Sequence, residues 1–146
     1  MEIRKALTSD AHAVTPLLAQ LGYPDNQPED VRRRLERWAG HPEGAAFVAV
    51  SGDGVIGVIA VVAIPLLERD GAVGRIVALV VDENQRRTGV ARELIAVAEE
   101  QALRWGCRAM EVSSSRRRIA AHALYRAHGY EDRCERSAKF YRELTA

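Results

Sequence analysis

Six consecutive positions, Ile76-Val77-Ala78-Leu79-Val80-Val81, carry no polar side chain, and the run breaks into Asp82-Glu83-Asn84-Gln85-Arg86-Arg87-Thr88 before a helical pattern starts near Gly89. Successive side chains of a strand point to opposite faces, so a strand that is apolar at every position is buried on both. The β-branched residues Ile76, Val77, Val80 and Val81 suit that conformation. A doubly buried strand turning directly into a helix calls for helices packed on the faces of a sheet.

The flanking sequence supplies those layers. Residues 2–6 alternate like a short strand. Ser9-Asp10 offers an N-cap to a helix with Val14, Leu17, Leu18 and Leu21 on one face and Gly22 at its end. Pro28-Glu29-Asp30 opens a second helix, striped by Val31, Leu35 and Trp38 and stopped by Gly40. Residues 46–50 read as a strand, Gly52-Asp53-Gly54 as a hairpin turn, and residues 55–64 as the returning strand. After the polar loop Glu68-Arg69-Asp70-Gly71 comes the strand 73–81. A helix over 89–104, a strand over 109–113, a helix over 119–128 and strands near 130–134 and 138–144 complete the chain. With no linker or repeat to divide them, residues 1–146 are expected to form a single domain of the α/β (α+β) class with a mixed sheet.

Charge narrows the function. The 21 Lys and Arg residues meet 20 Asp and Glu, a formal net charge of +1, which argues against a generic polyanion binder. Lys5 and Lys139 are the only lysines, and the other basic residues are arginines, which fork onto phosphates and carboxylates. A local anion site is therefore compatible with the neutral total. Cys107 and Cys134 show neither a paired CxxC nor a histidine at zinc spacing, so no metal is expected. The start Met1-Glu2-Ile3-Arg4-Lys5 lacks a signal-like apolar segment, and the apolar run 55–67 is too short to span a bilayer. These features predict a cytoplasmic protein.

The turn after Val81 is the first candidate site. A helix N-terminus presents unpaired N–H groups and partial positive charge, which suits a phosphate. Gly89 and Ala91 are small enough for close approach of an anion, and Arg86, Arg87 and Arg92 surround the turn. Read alone, the stretch fits a strand-to-helix loop with solvated arginines better than an anion site. It is neither a Walker loop nor a Rossmann fingerprint.

A second stretch, Ala121-His122-Ala123-Leu124-Tyr125-Arg126-Ala127-His128-Gly129-Tyr130, lies one helix-strand-loop unit downstream. Together with Val80-Val81-Asp82 leading into Arg86-x-x-Gly89-x-Ala91, it resembles the GNAT superfamily of N-acetyltransferases. The likeness runs over essentially the whole chain and implies a mostly antiparallel sheet flanked by helices, with acetyl-CoA as acetyl-donor cosubstrate. It implies that Leu79, Val80 and Val81 pair through their backbone with the pantetheine arm, an N–H of Leu79 or Val80 facing the thioester carbonyl. It implies that Arg86, Arg87, Thr88, Gly89, Val90 and Ala91 hold the pyrophosphate, with Arg92 at the helix start. Tyr125 matches the proton donor to the leaving thiolate. Arg118, within Arg116-Arg117-Arg118, stands where the family has an Asn near the cofactor arm, and Ala78 stands where a Glu often acts as base. The ending, with Ser137-Ala138-Lys139-Phe140 and Leu144, is similar to small bacterial aminoalkylphosphonate-type acetyltransferases.

The implied reaction is direct attack of a primary amine, of a small molecule or peptide, on the thioester. Freeing a lysine-like amine of its proton at pH 7 costs roughly 4–5 kcal/mol, so a base or desolvation is required. Glu111, Glu68 and Asp70 are carboxylates able to face such an amine, and each also reads as a solvated surface group. His122, on the Tyr125 helix, reads as sharing its cavity or as partly exposed, and His128 as structural. Two alternatives follow from the same residues. One is a catalytically silent acyl-CoA-binding module, encouraged by Ala78. The other is an acetyltransferase of protein N-termini or aminoacyl-tRNA, with the arginine runs as electrostatic contacts. No membrane partner and no general nucleic-acid binding are expected, and an exposed terminal strand would support a homodimer.

Overall fold

The apolar run ends a strand, β4 (Ala72–Val81), in a five-stranded sheet whose other members are β1 (Glu2–Lys5), β2 (Gly44–Ser51), β3 (Gly54–Pro65) and β5 (Cys107–Val112). The strands lie side by side in chain order; the first four pair antiparallel and β5 runs parallel to β4. Parallel neighbours need a crossover, which α3 (Val90–Arg104) provides. The sheet is mixed and mostly antiparallel, as the resemblance implies. The computed structural model describes residues 1–52, 54–86, 88–114 and 117–144, arranged in two compact units, Met1–Ser113 and Ser114–Ala146.

In the first unit both faces of the sheet are covered, which is why β4 carries apolar residues at consecutive positions. On one face, Val14 and Leu17 of α1 (Ala11–Leu21) and Val31 and Leu35 of α2 (Pro28–Ala39) pack with Val48, Val58, Ala60 and Val80. On the other lies α3, whose Leu94 and Ile95 are fully buried. Two glycines let α3 approach. A Cβ on Gly57 would stand 3.1 Å from Leu94 Cδ1, and one on Gly74 would stand 2.5 Å from Met110 Sδ and 3.0 Å from Ala102 Cβ. Pro28 opens α2, with Asp30 Oδ2 accepting the Gln27 N–H at 3.0 Å. Gly22, at φ +117°, closes α1.

The expected Ser9-Asp10 cap does not form. No side-chain bond caps α1, and the Asp10 carboxylate instead accepts two bonds from the Arg4 guanidinium (2.8 and 2.9 Å) and one from the Leu7 N–H (2.7 Å). The reason is geometric: a forked, charge-assisted pair offers a buried carboxylate more than one exposed helix N–H does. The Arg4 guanidinium holds the Asp10 carboxyl below its usual range, aided by the Leu7 N–H and opposed by burial.

The second unit contains α4 (Ile119–Ala127), after which Gly129 turns the chain at φ +91°. The strands expected near 130–134 and 138–144 are absent among the described residues, and 131–144 are exposed. Alternating apolar residues become a strand only where a neighbouring edge takes their N–H and C=O groups. Here the Arg136 and Ser137 N–H groups donate to the Arg133 carbonyl in a turn. Among the described residues, no helix is long and apolar enough to cross a membrane.

Candidate active site

The candidate site grows from a parting of strands. The β4–β5 register ends at Ile76 opposite Val112, while β4 runs on through Val77–Val81. On the other side, Ile76 faces Val61 and Ala78 faces Ala60, leaving Val77 as an extra, bulged residue, half exposed. Beyond the bulge the Asp82 N–H donates to the Ile56 carbonyl at 2.8 Å, and Gly57 pairs with Val81. Antiparallel ladders alternate, so Val58 and Val80 exchange both of their bonds while Leu79 and Val81 direct N–H and C=O away from β3. Those groups point to the side that β5 has left. Of the two N–H candidates in the sequence, Val80 is used by Val58 and Leu79 is outward. The buried Leu79 and Val81 side chains anchor this stretch on the α3 face.

The strand then turns into α3. Asp82 Oδ1 accepts the Asn84 N–H at 3.2 Å, and the Thr88 hydroxyl donates to the Gln85 carbonyl at 2.5 Å. Gly89 stands at the N-cap with φ +85°, and a Cβ there would meet nothing within 4 Å. No side chain caps α3; its first intrahelical bond runs from the Glu93 N–H to the Gly89 carbonyl at 3.1 Å. The N–H groups of Val90, Ala91 and Arg92 are therefore left without helical acceptors. Arg86 and Arg92 are exposed beside them, and Arg87 lies outside the described residues. Gln20 of α1 steadies the turn. Its Oε1 accepts the Glu83 N–H at 2.9 Å and its Nε2 donates to Asp82 at 3.4 Å. A lone glutamine on a helix carries no spacing signal, so only the tertiary fold reveals it.

Tyr125 and Arg118 belong to the second unit. Tyr125 is 8% exposed; burial pushes its phenol above the ordinary value, against the opposing charge of Arg118. Its ring centroid lies 6.0 Å from that of Tyr130, and its carbonyl accepts the Tyr130 N–H at 2.9 Å. Arg118 is exposed at the N-cap of α4, its carbonyl accepting the His122 N–H at 3.1 Å. His122 and His128 are half-buried, and Arg116 is outside the described residues. In the first unit, Glu68 and Asp70 are exposed, and Glu111 meets Arg75 at 3.4 Å. Among the described residues, no group of three or more His, Cys, Asp or Glu is placed to hold a metal ion.

Comparison with known proteins adds a family. The model of the acetyltransferase (GNAT) family matches residues 11–130. No curated protein matches the chain. Among solved structures, the chain is similar to a GNAT family acetyltransferase from Staphylococcus aureus, at 23% identity, 98% coverage of both chains and a TM-score of 0.79. It is similar to AAC(6')-Iy in complex with the bisubstrate analog CoA-S-monomethyl-acetylneamine, at 22% identity, covering 99% of this chain and 98% of that one, with a TM-score of 0.82. Glucosamine-6-phosphate N-acetyltransferase from Arabidopsis thaliana gives 19% identity, 99% and 98% coverage and a TM-score of 0.83.

Proposed function

Because the chain belongs to the acetyltransferase (GNAT) family, we propose that it transfers the acetyl group of acetyl-CoA to a primary amine of a small molecule. The reaction takes place in the cytoplasm, on one catalytic domain spanning residues 1–146. The observation that carries this reading is the outward backbone of Leu79 and Val81 running into the uncapped, unobstructed start of α3. A linear ligand with amides at one end and a pyrophosphate at the other matches that order of groups. AAC(6')-Iy, of similar fold, is known with a CoA-containing bisubstrate analog, which supports the same ligand class here.

Acetyl-CoA supplies an acetyl group activated as a thioester. The N–H groups of Val90, Ala91 and Arg92 receive the pyrophosphate, with Arg86, Arg87, Thr88 and Gly89 around it and the Arg86 and Arg92 guanidinium groups adding charge. The Leu79 and Val81 backbone pairs with the pantetheine arm while Val80 fixes their register through Val58. The Leu79 N–H donates to the thioester oxygen as that oxygen takes up charge. Tyr125 takes the role of proton donor to the departing sulfur that the family likeness gives it; like any phenol it is protonated at neutral pH, and burial pushes its pKa further up. Arg118, exposed and cationic, serves the outer part of the cofactor.

Thermal unfolding with acetyl-CoA and CoA release from an amine panel test this reading. The panel comprises spermidine, tyramine, aminomethylphosphonate, glucosamine 6-phosphate and an alanyl peptide. Saturating acetyl-CoA raises Tm, and at least one small amine releases CoA; absence of any shift overturns the assignment. Preference for aminomethylphosphonate would support the narrower aminoalkylphosphonate likeness. Tyr125→Phe lowers turnover on the order of 100-fold with little change in acetyl-CoA affinity, checked by steady-state kinetics beside calorimetry. Ala78 favours a second reading, a silent acyl-CoA binder, which predicts the Tm shift without CoA release.

A further inference from the structure

The proposed reaction needs a proton acceptor that Ala78 cannot be, and the first unit offers a different one. β4 contains no carboxylate, and Glu111 is the only one on β5. Arg75 and Glu111 are register partners one ladder step before the strands part at Ile76 and Val112. Gly74 and Met110 face α3, so Arg75 and Glu111 project to the opposite face. Strand alternation alone would put positions 75 and 78 on opposite faces. The bulge at Val77 restores them to the same one, since Ala78 packs with the α1 and α2 core. Glu111 thus looks onto the face of the sheet where a base at position 78 would have stood.

We propose that Glu111 is the carboxylate that draws in the acceptor ammonium and takes its proton through a water molecule, with Arg75 as the positioning residue that holds it at the fork. The proposal rests on the acetyl-transfer reading above. Leu79 lies roughly 10 Å along the strand from Arg75, counting three ladder steps at about 3.3 Å, a span suited to a side chain, a water and an amine. Arg75 Nε stands 3.4 Å from Glu111 Oε1 and its Nη2 3.4 Å from Ser113 Oγ, long contacts that steer the carboxylate without closing it off. The side chains are 41% and 52% exposed, so water reaches the pair and an incoming ammonium competes for the carboxylate. Within this unit, Arg75 is the charged group facing Glu111 from β4; α3, also packed on β5, lies on the other face. Val62 and Val73, half-buried on the Glu111 face, give the carbon skeleton of the amine an apolar bed. The acceptor class is a cationic primary amine with an apolar stem.

In the step, an N–H bond of the ammonium breaks and its proton passes through water to Glu111. The freed nitrogen pair forms the N–C bond to the acetyl carbon, the C–S bond breaks, the sulfur takes up a proton, and the nitrogen loses its second N–H proton to water, leaving a neutral amide, the CoA thiol and a protonated Glu111. Glu111→Gln is tested with the panel amine of highest kcat/KM. At pH 7 we expect at least a 30-fold fall in kcat/KM, shrinking toward wild type as the pH nears the amine's own pKa, where free amine needs no acceptor. Calorimetry on the CoA-saturated protein should show a severalfold loss of amine affinity with unchanged CoA affinity. Arg75→Lys should retain most activity, whereas Arg75→Ala should flatten the pH profile as Glu111→Gln does. A Glu111→Gln protein with wild-type kcat/KM and pH profile overturns the proposal and leaves acetyl transfer standing. So does a wild type that acetylates only neutral or aromatic amines. A wild type stabilised by acetyl-CoA that acetylates no amine overturns both, and loss of the acetyl-CoA shift itself points to failure of the cofactor reading.

Discussion

The two halves of β4, Ala72–Ile76 with its single charged residue Arg75 and the wholly apolar Val77–Val81, meet opposite fates. From Ala72 to Ile76 the strand is flanked by β3 and β5, with Arg75 reaching solvent on the face away from α3; from Val77 to Val81 it keeps β3 and loses β5. The first half is closed by hydrogen bonds on both sides. The second half has its side chains anchored, by Val80 on one face and Leu79 and Val81 on the other, while half of its backbone groups look outward. Rigid side chains beneath an outward backbone leave donors that need no rearrangement to meet a ligand, the pre-organisation that the proposed acetyl-CoA site calls for. The difference is thus one of partner length: β5 ends at Val112 and β4 does not.

The largest test of that contrast is Leu94→Ala, which empties a fully buried site beneath the open half. We expect a loss of about 3–5 kcal/mol in denaturant unfolding. Acetyl-CoA affinity should fall as well, because the outward groups would lose their anchor; unchanged affinity would mean that the edge is organised by β3 alone. Next comes a pair of amide-to-ester replacements. Removing the Leu79 N–H should leave stability nearly intact and lower kcat about 100-fold or more. Removing the Val80 N–H should cost about 1 kcal/mol of stability, the worth of a ladder bond, with a smaller kinetic effect. Equal effects at both positions would break the distinction between the halves.

Such alternation also marks the limit of what the residues alone reveal. The strand run, the glycine stops at Gly22 and Gly129 and the small helix start at Gly89 are local, and each is where the sequence puts it. The family likeness drawn from Arg86-x-x-Gly89-x-Ala91 and Leu124-Tyr125 is matched by the family model. The bulge at Val77 is not local: it depends on which residues of β3 lie opposite, and no composition at 76–78 announces it. Asp10 was legible as a polar residue before a helix, but its partner Arg4 comes near only once β1 is paired and the short turn has formed. The segment 130–144 shows the converse, a strand-like pattern that forms no strand among the described residues.

On the closed half, Gly74→Ala adds a methyl 2.5 Å from Met110 Sδ and 3.0 Å from Ala102 Cβ. The Met side chain can swing away, but Ala102 is fixed to the α3 backbone, so we expect about 1–3 kcal/mol of destabilisation. Met110→Ala in the same chain should recover only part of it, a coupling that a double-mutant cycle measures. Acetyl-CoA affinity should be nearly unchanged, in contrast to Leu94→Ala.

The smallest effect belongs to the far edge of the sheet, where β1 rather than β4 is at stake. Asp10→Asn removes the charge from the Arg4 pair and should lower stability by about 1–2 kcal/mol at pH 7. The folded carboxyl titrates below its ordinary value, so its contribution is fully present above an unfolded pKa of about 3.9 and is lost as the pH falls through the depressed folded value. Urea unfolding at pH 7 and at successively lower pH should therefore show the gap between wild type and variant narrowing only below about pH 4. Amide exchange completes the test. If the halves of β4 differ because of β5, Leu79 should still exchange faster than Val80 in Asp10→Asn by the wild-type ratio. A ratio that collapses with the β1 anchor would place the origin of the open edge in the whole sheet instead.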